Sequence, residues 1–232
     1  MKAAVHGVDT VHLVTNMYSG VDQEAPQGIR VVDAAVAAGV DHIVLSSVAG
    51  ANANSGVPHF DAKFEVEQHL QNGAKNWSIV APVFFMENLT FAWNLPALQN
   101  GKFRQAIGDS TYLQMISSTD IGAFIAHVID QGEAFYGERI EIAGDELTGP
   151  QAAEILSETS GRAIAFEQQP REEVAAMGED VALMYDWFES IGYSANIESL
   201  RSKYKDIDWT TFADWAGKQD WKALLQPTPT TV

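Results

Sequence analysis

The chain has 232 residues, 46% of them apolar, which is enough to bury a sizeable globular core. Its 31 acidic residues outnumber 14 basic ones, and a net charge of -17 argues against nucleic acid or an anionic membrane as a partner. Cysteine is absent, which excludes disulfides and thiol catalysis.

The first part of the chain predicts strands and helices in alternation. Short apolar runs rich in β-branched residues predict strands at 10–15, 42–48 and 77–85. Amphipathic spacing predicts helices between them, at 24–40 and 58–72. Near-continuous apolar strands joined by helices are typical of a parallel sheet covered on both faces. The predicted fold class is therefore α/β, with a doubly wound parallel sheet in the order 10–15, 42–47, 77–84.

The second part is more irregular. Residues 87–98 predict a helix, 102–117 predict two short strands about a turn, and 118–132 predict an amphipathic helix. A strand at 138–144 precedes a helix that Thr148 would cap and Gly161 would end. From about Pro170 the chain predicts acidic helices rich in Trp and Tyr.

Polar side chains stand at the ends of the predicted strands. In an open parallel sheet, ligands bind beyond the carboxyl ends of the strands. The residues at these ends are Thr15, Asn16, Ser46, Ser47, Pro82, Val83, Phe84 and Phe85. Lys63, early in the second helix, could reach the same crevice and offer an amine. The alternative, which spacing alone favours, is that the serines end a strand and the lysine is solvated.

Four stretches together resemble the NmrA-like branch of the atypical short-chain dehydrogenases/reductases. They occur in the family's order within residues 8–165 and read HFDAKFEVEQHL, APVFFMENL, MISSTDIGAFIAHVI and ERIEIAGDELTGPQAAEILSETSGR. The resemblance implies a Rossmann fold that binds NADP or NAD. The branch includes reductases and redox-sensing proteins with little or no catalysis.

The resemblance also implies roles for individual residues. Lys63 occupies the family's lysine position, where it would contact the nicotinamide ribose. His59 stands where standard short-chain dehydrogenases have a catalytic tyrosine, and a histidine could serve as the acid near neutral pH. Phe84, Phe85 and Met86 would line the nicotinamide, with Met86 and Asn88 toward the substrate. Glu87 and Asp120 match family positions, for which capping of a helix is the simpler role.

No G-x-G-x-x-G turn, which holds the pyrophosphate in Rossmann proteins, occurs in the chain. Compared with the family, the sequence lacks the first βαβα units, and strand 10–15 would be an exposed edge that favours a homodimer. We expect a partial Rossmann dinucleotide-binding domain at 1–90. Residues 91–232 would form a mixed remainder, with a small α+β substrate or lid subdomain and a part that returns to the sheet.

The leading functional hypothesis is an NAD(P)H-dependent oxidoreductase acting on a small apolar acceptor such as a quinone or carbonyl compound. The alternatives are a non-catalytic, redox-sensing NAD(P)-binding protein and a fragment unable to bind dinucleotide. No metal site is expected, since His6 and His12 have no carboxylate at ligand spacing. A cytoplasmic location is expected, because a chain without cysteine suits a reducing compartment. The sequence also has neither an apolar run of membrane length nor a secretory signal pattern.

Overall fold

The computed structural model describes residues 4–226, which divide into two compact units. Within this range, the first unit comprises residues 4–83 and Ile121–Ile142, and the second comprises Phe84–Asp120 and residues 143–226. The boundary predicted at residue 90 stays a prediction, because a compact unit is a geometric division and not a demonstrated folding domain.

The structure contains the following elements in chain order. The strands are β1 (Thr10–Val14), β2 (His42–Ser46), β3 (Trp77–Pro82), β4 (Phe84–Phe85), β5 (Lys102–Gln105), β6 (Tyr112–Ile116), β7 (Glu138–Ile142), β8 (Asp145–Thr148) and β9 (Ala165–Gln168). The helices are α1 (Val21–Ala37), α2 (Pro58–Gly73), α3 (Leu95–Gln99), α4 (Ser118–Gln131), α5 (Gly149–Ser160), α6 (Arg171–Met177), α7 (Glu179–Ser190), α8 (Ile197–Lys203), α9 (Phe212–Gly217) and α10 (Trp221–Leu224). Short 3₁₀ turns lie at Ala51–Ala53, Met86–Thr90 and Gly132–Phe135.

The first unit is built on a parallel sheet in the order β1-β2-β3-β7. The parallel order of the first three strands confirms the prediction, and β7 adds a fourth strand after them. In the described part of the chain, β1 pairs only with β2, so its other side is a sheet edge. Val14, at the end of this edge strand, is 59% exposed.

Both faces of this sheet are covered. One face contributes Leu13, Ile43, Leu45 and Ile79 to a buried cluster with α1 and α2. On β2, Val44 alternates to the opposite face and is also fully buried. That face meets the segment after α4, since Ser78 Oγ donates a hydrogen bond of 2.7 Å to the Phe135 carbonyl. The α/β, doubly wound, Rossmann-like fold class is therefore confirmed.

The second unit contains two small sheets. In one, β6 is parallel to β4 and antiparallel to β8; in the other, β5 is parallel to β9. The two strands predicted within 102–117 therefore exist but do not pair with each other. Pairing between β5 and β9 joins residues about sixty positions apart, a relation that a local turn pattern cannot report.

In the second unit, the predicted start and end of α5 are confirmed, whereas another predicted helix was wrong. Thr148 caps α5 in a capping box with Gln151, and Gly161 ends the helix with a positive φ of 67°, both as predicted. The helix predicted at 87–98 was wrong in its length. Only the 3₁₀ turn Met86–Thr90 and the short helix α3 form there.

Candidate active site

Lys63 lies in the second turn of α2, and its ammonium reaches the carboxyl end of β1. Its Nζ is 2.7 Å from Glu24 Oε1, 3.2 Å from Thr15 Oγ1 and 3.3 Å from the Thr15 carbonyl oxygen. The Lys63 side chain is only 16% exposed. The interpretation of this lysine as solvated was therefore wrong. The prediction that its amine reaches the strand ends, near Thr15, is confirmed.

Glu24 completes this cluster, and the sequence reasoning missed it. It lies in the first turn of α1, where an acidic residue suits the helix dipole and attracts no further attention. In the structure its side chain is 1% exposed and accepts a 2.7 Å hydrogen bond from Thr15 Oγ1 as well as the contact from Lys63. A buried carboxylate needs such partners, since burying an uncompensated charge is costly.

Gly28 allows the close helix approach that places this cluster. A Cβ atom on Gly28 would lie 2.7 Å from Val66 Cγ2 and 2.9 Å from Thr15 Cγ2. The backbone of α1 therefore contacts α2 and the end of β1 directly. Glu24, one turn earlier on α1, thereby comes within reach of Lys63, nearly one turn earlier on α2.

The two serines at the end of β2 already have protein partners. Ser46 Oγ is 2.8 Å from His12 Nε2, and Ser47 Oγ donates a hydrogen bond to Glu67 Oε1. Both serines are buried. Neither hydroxyl is therefore aimed freely at a ligand in this conformation, and their predicted part in cofactor binding stays a prediction.

A buried charge network fixes the loop that follows β2. Arg139 on β7 contacts Glu67 Oε2 and Glu141 Oε1, each at 2.8 Å, and donates to the Val48 carbonyl at 3.1 Å. Glu141 in turn accepts from Gly50 N at 3.0 Å. Burial alone would lower the pKa of Arg139, but the two carboxylates outweigh it and raise that pKa above its ordinary value.

Three of the remaining candidates of the first unit, Asn16, Pro82 and Val83, lie at strand ends, and the fourth, His59, lies on α2. Asn16 is exposed, and its Oδ1 accepts a hydrogen bond of 3.1 Å from Tyr18 N. His59 is half-buried, one turn before Lys63 on α2, with its ring edge-on to Phe60. Pro82 and Val83 are buried, and the Pro82 carbonyl accepts from Ala49 N at 2.9 Å.

The predicted residues after β3 belong to the second unit. Phe84 is buried and meets the ring of Phe188, whereas Phe85 is 39% exposed. Met86 is fully buried. The Asn88 carbonyl accepts a 2.7 Å hydrogen bond from Asn94. The cofactor and substrate roles assigned to these residues stay predictions.

Glu87 and Asp120 both have structural partners. Both carboxylate oxygens of Glu87 lie 3.0 Å from Ser118 N, so Glu87 caps α4 and not the segment that follows it. Asp120 N is itself capped by Ser117 Oγ at 3.1 Å. The Asp120 carboxylate accepts from Thr210 N and Thr210 Oγ1 at 2.8 and 2.7 Å. Asp120 Oδ1 also accepts a hydrogen bond of 2.8 Å from Ser117 Oγ, so the Asp120 side chain takes part in the N-terminal cap of α4 and, in addition, binds the segment before α9.

A groove of about 330 Å³ opens beside the Lys63 cluster in the first unit. Its lining includes Thr15, Asn16, Gln27, Gly28 and Arg30. Such a volume falls within the range of small-molecule sites. Within residues 4–226, no group of three or more His, Asp or Glu side chains is arranged to hold a metal ion, and no helix is long and apolar enough to cross a membrane.

The residues present fit one part of a nicotinamide dinucleotide. The partly exposed Lys63 amine and the exposed Asn16 amide are donors suited to ribose hydroxyls and a carboxamide. The part of the site that would hold the pyrophosphate lacks its usual residues, because the chain contains no G-x-G-x-x-G turn. The fit is therefore to the nicotinamide–ribose half.

Comparison with known sequences gives relatives of consistent type. An NmrA-like family domain-containing protein from Dictyostelium discoideum is 25% identical over 206 residues, covering 83% of this chain and 68% of that protein. Quinone oxidoreductase 2 from Escherichia coli is 30% identical over 184 residues, covering 79% of this chain and 62% of the enzyme. The chain thus spans roughly two thirds of the length of these relatives.

Solved structures agree with the sequence relatives. The crystal structure of the NADPH-dependent quinone oxidoreductase from Escherichia coli, in complex with NADPH, superposes with a TM-score of 0.78 at 27% identity. That match covers 93% of this chain and 77% of the enzyme. A sequence model of the NmrA-like family matches residues 1–216. The chain therefore belongs to the NmrA-like family.

Proposed function

We propose that this protein is an NAD(P)H-dependent oxidoreductase that reduces a small apolar acceptor such as a quinone or another carbonyl compound. The observation that carries the proposal is the position of Lys63, whose amine lies at the carboxyl end of β1 beside Thr15. This is the end of a parallel sheet where ligands bind. A 30% identical relative is named as a quinone oxidoreductase, which supports the choice of acceptor.

The chain's own residues would divide the work between binding and proton transfer. Lys63 would donate hydrogen bonds to the nicotinamide ribose and hold the ring in one orientation. A reduced nicotinamide supplies the hydride when it is bound. His59, one turn earlier on α2, would give the acceptor oxygen the proton that balances the added hydride, and would regain it from water.

A second candidate is a cofactor-sensing protein without turnover. It is favoured because both serines at the end of β2 already have hydrogen-bond partners. Ser46 contacts His12, and Ser47 donates a hydrogen bond to Glu67. It is also favoured by the histidine at position 59, where catalytic members of the wider superfamily have a tyrosine. Both candidates bind the same cofactor, so turnover distinguishes them.

The test measures binding and turnover with two cofactors. The protein is titrated with NADPH and with reduced nicotinamide mononucleotide, which carries only the nicotinamide–ribose–phosphate half, and oxidation is followed at 340 nm with a panel of quinones. Oxidation that depends on both protein and quinone supports the oxidoreductase. Binding without oxidation supports the sensor. A protein that binds neither cofactor rules out both candidates.

The remaining partner assignments belong to the same proposal. We place the protein in the cytoplasm, without a nucleic-acid partner, and we propose that two copies pair along the β1 edge, where Val14 is exposed. Light scattering of the purified protein measures its mass. A Val14→Lys variant should shift a dimer toward the monomer, because a charged edge residue opposes strand pairing.

A further inference from the structure

The Lys63 ammonium makes contacts of two different strengths. The contact to Glu24 Oε1, at 2.7 Å, has the length of a strong charge-assisted hydrogen bond. The contacts to Thr15 Oγ1 and to the Thr15 carbonyl, at 3.2 and 3.3 Å, lie at the long end of the hydrogen-bond range. A ligand hydroxyl can replace a long contact at little cost, whereas the short one persists.

Thr15 cannot hold the lysine by itself. Its hydroxyl hydrogen is committed to Glu24 Oε1 at 2.7 Å, so toward Lys63 it acts only as an acceptor. The flexible four-carbon stem of a lysine is fixed only when its charge is fixed. The buried Glu24 carboxylate is the group that does so.

The ion pair of Glu24 with Lys63 is not needed merely to hold helices α1 and α2 together. Helices α1 and α2 already pack through the buried cluster and through the direct contact of Gly28 with Val66. A second side-chain contact between the same helices, a hydrogen bond of 2.7 Å between His69 Nε2 and Asp33 Oδ1, lies in solvent. The Glu24 carboxyl group, which pairs with Lys63, instead lies at 1% exposure beside a strand end. Such burial is costly unless the position itself is needed.

We propose that Glu24 is a positioning residue, which holds the Lys63 ammonium at the end of β1 so that its other two hydrogens are offered to the nicotinamide ribose. This inference rests on the proposed function. It assigns a role to a residue of α1 that does not itself touch the cofactor. Glu24 thereby sets how tightly the nicotinamide half is bound and how well the ring is oriented.

The experiment compares Glu24→Gln, Lys63→Met and their double variant, with Asp33→Asn as the matched control. Asp33→Asn removes the charge of the carboxylate in the other side-chain contact between the same two helices. For each protein we measure the dissociation constants of NADPH and reduced nicotinamide mononucleotide, the separate kcat and KM values, and the melting temperature. The side-chain ¹H–¹⁵N signal of the Lys63 ammonium is recorded as well.

We expect Glu24→Gln to weaken cofactor binding because of its effect on Lys63. Glu24→Gln and Lys63→Met each weaken binding of both cofactors by about 10- to 100-fold, the range for a hydrogen bond to a charged group, and the double variant is no weaker than either single one, because the two residues act as one unit. KM for the cofactor rises while KM for the quinone stays constant. The Lys63 signal, narrow in the wild type because its hydrogens exchange slowly, is lost in Glu24→Gln and kept in Asp33→Asn.

The outcomes separate this inference from the proposed function. If Lys63→Met weakens binding and Glu24→Gln does not, Glu24 is only structural and the inference is overturned. If the wild type binds a cofactor but Lys63→Met binds it equally well, the assigned role of Lys63 fails. A wild type without any binding overturns the proposed function itself. Glu24→Asp replaces Glu24→Gln if the latter does not fold, and should give a smaller loss, since its charge is kept but set back by one methylene.

Discussion

Gly28 of α1 and Val66 of α2 meet without room for a side chain between them, since a Cβ atom on Gly28 would lie 2.7 Å from Val66 Cγ2. The Val66 side chain is fully buried and cannot turn away into solvent. This contact sets the distance between the two helices that carry Glu24 and Lys63. It therefore links the packing of the first unit to the geometry of the candidate site.

We expect Gly28→Ala to destabilise the protein by up to about 2 kcal/mol. An added methyl in a packed contact costs about 1–3 kcal/mol, and the gain of about 1 kcal/mol that alanine brings to a helix offsets part of this cost. Gly122→Ala on α4 is the control, because nothing lies within 4 Å of its added Cβ. Urea unfolding should give opposite signs for the two variants. Equal stabilisation in both would mean that the helices separate without cost.

The buried network at Arg139 gives a second prediction. Arg139→Met leaves Glu67 as a fully buried carboxylate without its cation, which should cost about 3–5 kcal/mol of unfolding free energy. The exposed pair of Arg171 with Asp186 is the comparison, and Arg171→Met should cost much less, because ion pairs in solvent contribute little to stability. Adding Glu67→Gln to Arg139→Met should recover part of the loss. A cost for Arg139→Met no larger than for Arg171→Met would contradict this account.

The sequence predicted the sheet better than the site. Strands, helices and their parallel order follow from apolar runs and turn residues, which are local signals. Glu24 was missed because an acidic residue in the first turn of a helix is ordinary, and its burial depends on Gly28 and Val66, which lie on different helices. The non-local pairing of β5 with β9 was missed for the same reason. Lys63 and Thr15 were found together because both follow from the rule on strand ends.

The burial of His42 predicts how the stability of the protein depends on pH. His42 is 2% exposed, its Nε2 lies 2.8 Å from Ser78 Oγ, and its Nδ1 has no hydrogen-bond partner within residues 4–226. Because Ser78 Oγ donates its own hydrogen to the Phe135 carbonyl, His42 Nε2 is the donor and Nδ1 is the nitrogen without a proton. Burial lowers the pKa of His42 below 6.5, although the charge of Asp41 partly opposes this shift.

The direction in which stability changes with pH follows from proton uptake by the unfolded chain. The unfolded chain binds a proton at His42 below about pH 6.5, while the folded protein resists it, so stability is present above that pH and is lost as pH falls toward the folded pKa. We expect His42→Asn to reduce this dependence between pH 7 and pH 5. Urea unfolding of both proteins at several pH values measures it, with His69→Asn at an exposed position as the control. Identical slopes for the wild type and His42→Asn would show that the folded protein protonates His42 as readily as the unfolded chain does.

The last prediction separates the two α2 residues assigned to binding and to proton transfer. Lys63→Met should raise the dissociation constant of the reduced cofactor by the equivalent of about 1.5–3 kcal/mol, the range for a hydrogen bond to a charged group. Lys63 is the only lysine within Pro58–Gly73, so no second lysine on α2 can mask the loss. His59→Ala should leave that constant within about twofold and lower only kcat, by about 10²-fold for a lost general acid. Fluorescence titration of the reduced nicotinamide gives the binding term, and steady-state oxidation with a quinone gives the rate. If His59→Ala weakens binding as much as Lys63→Met does, His59 is a contact for the cofactor and the proton comes from elsewhere.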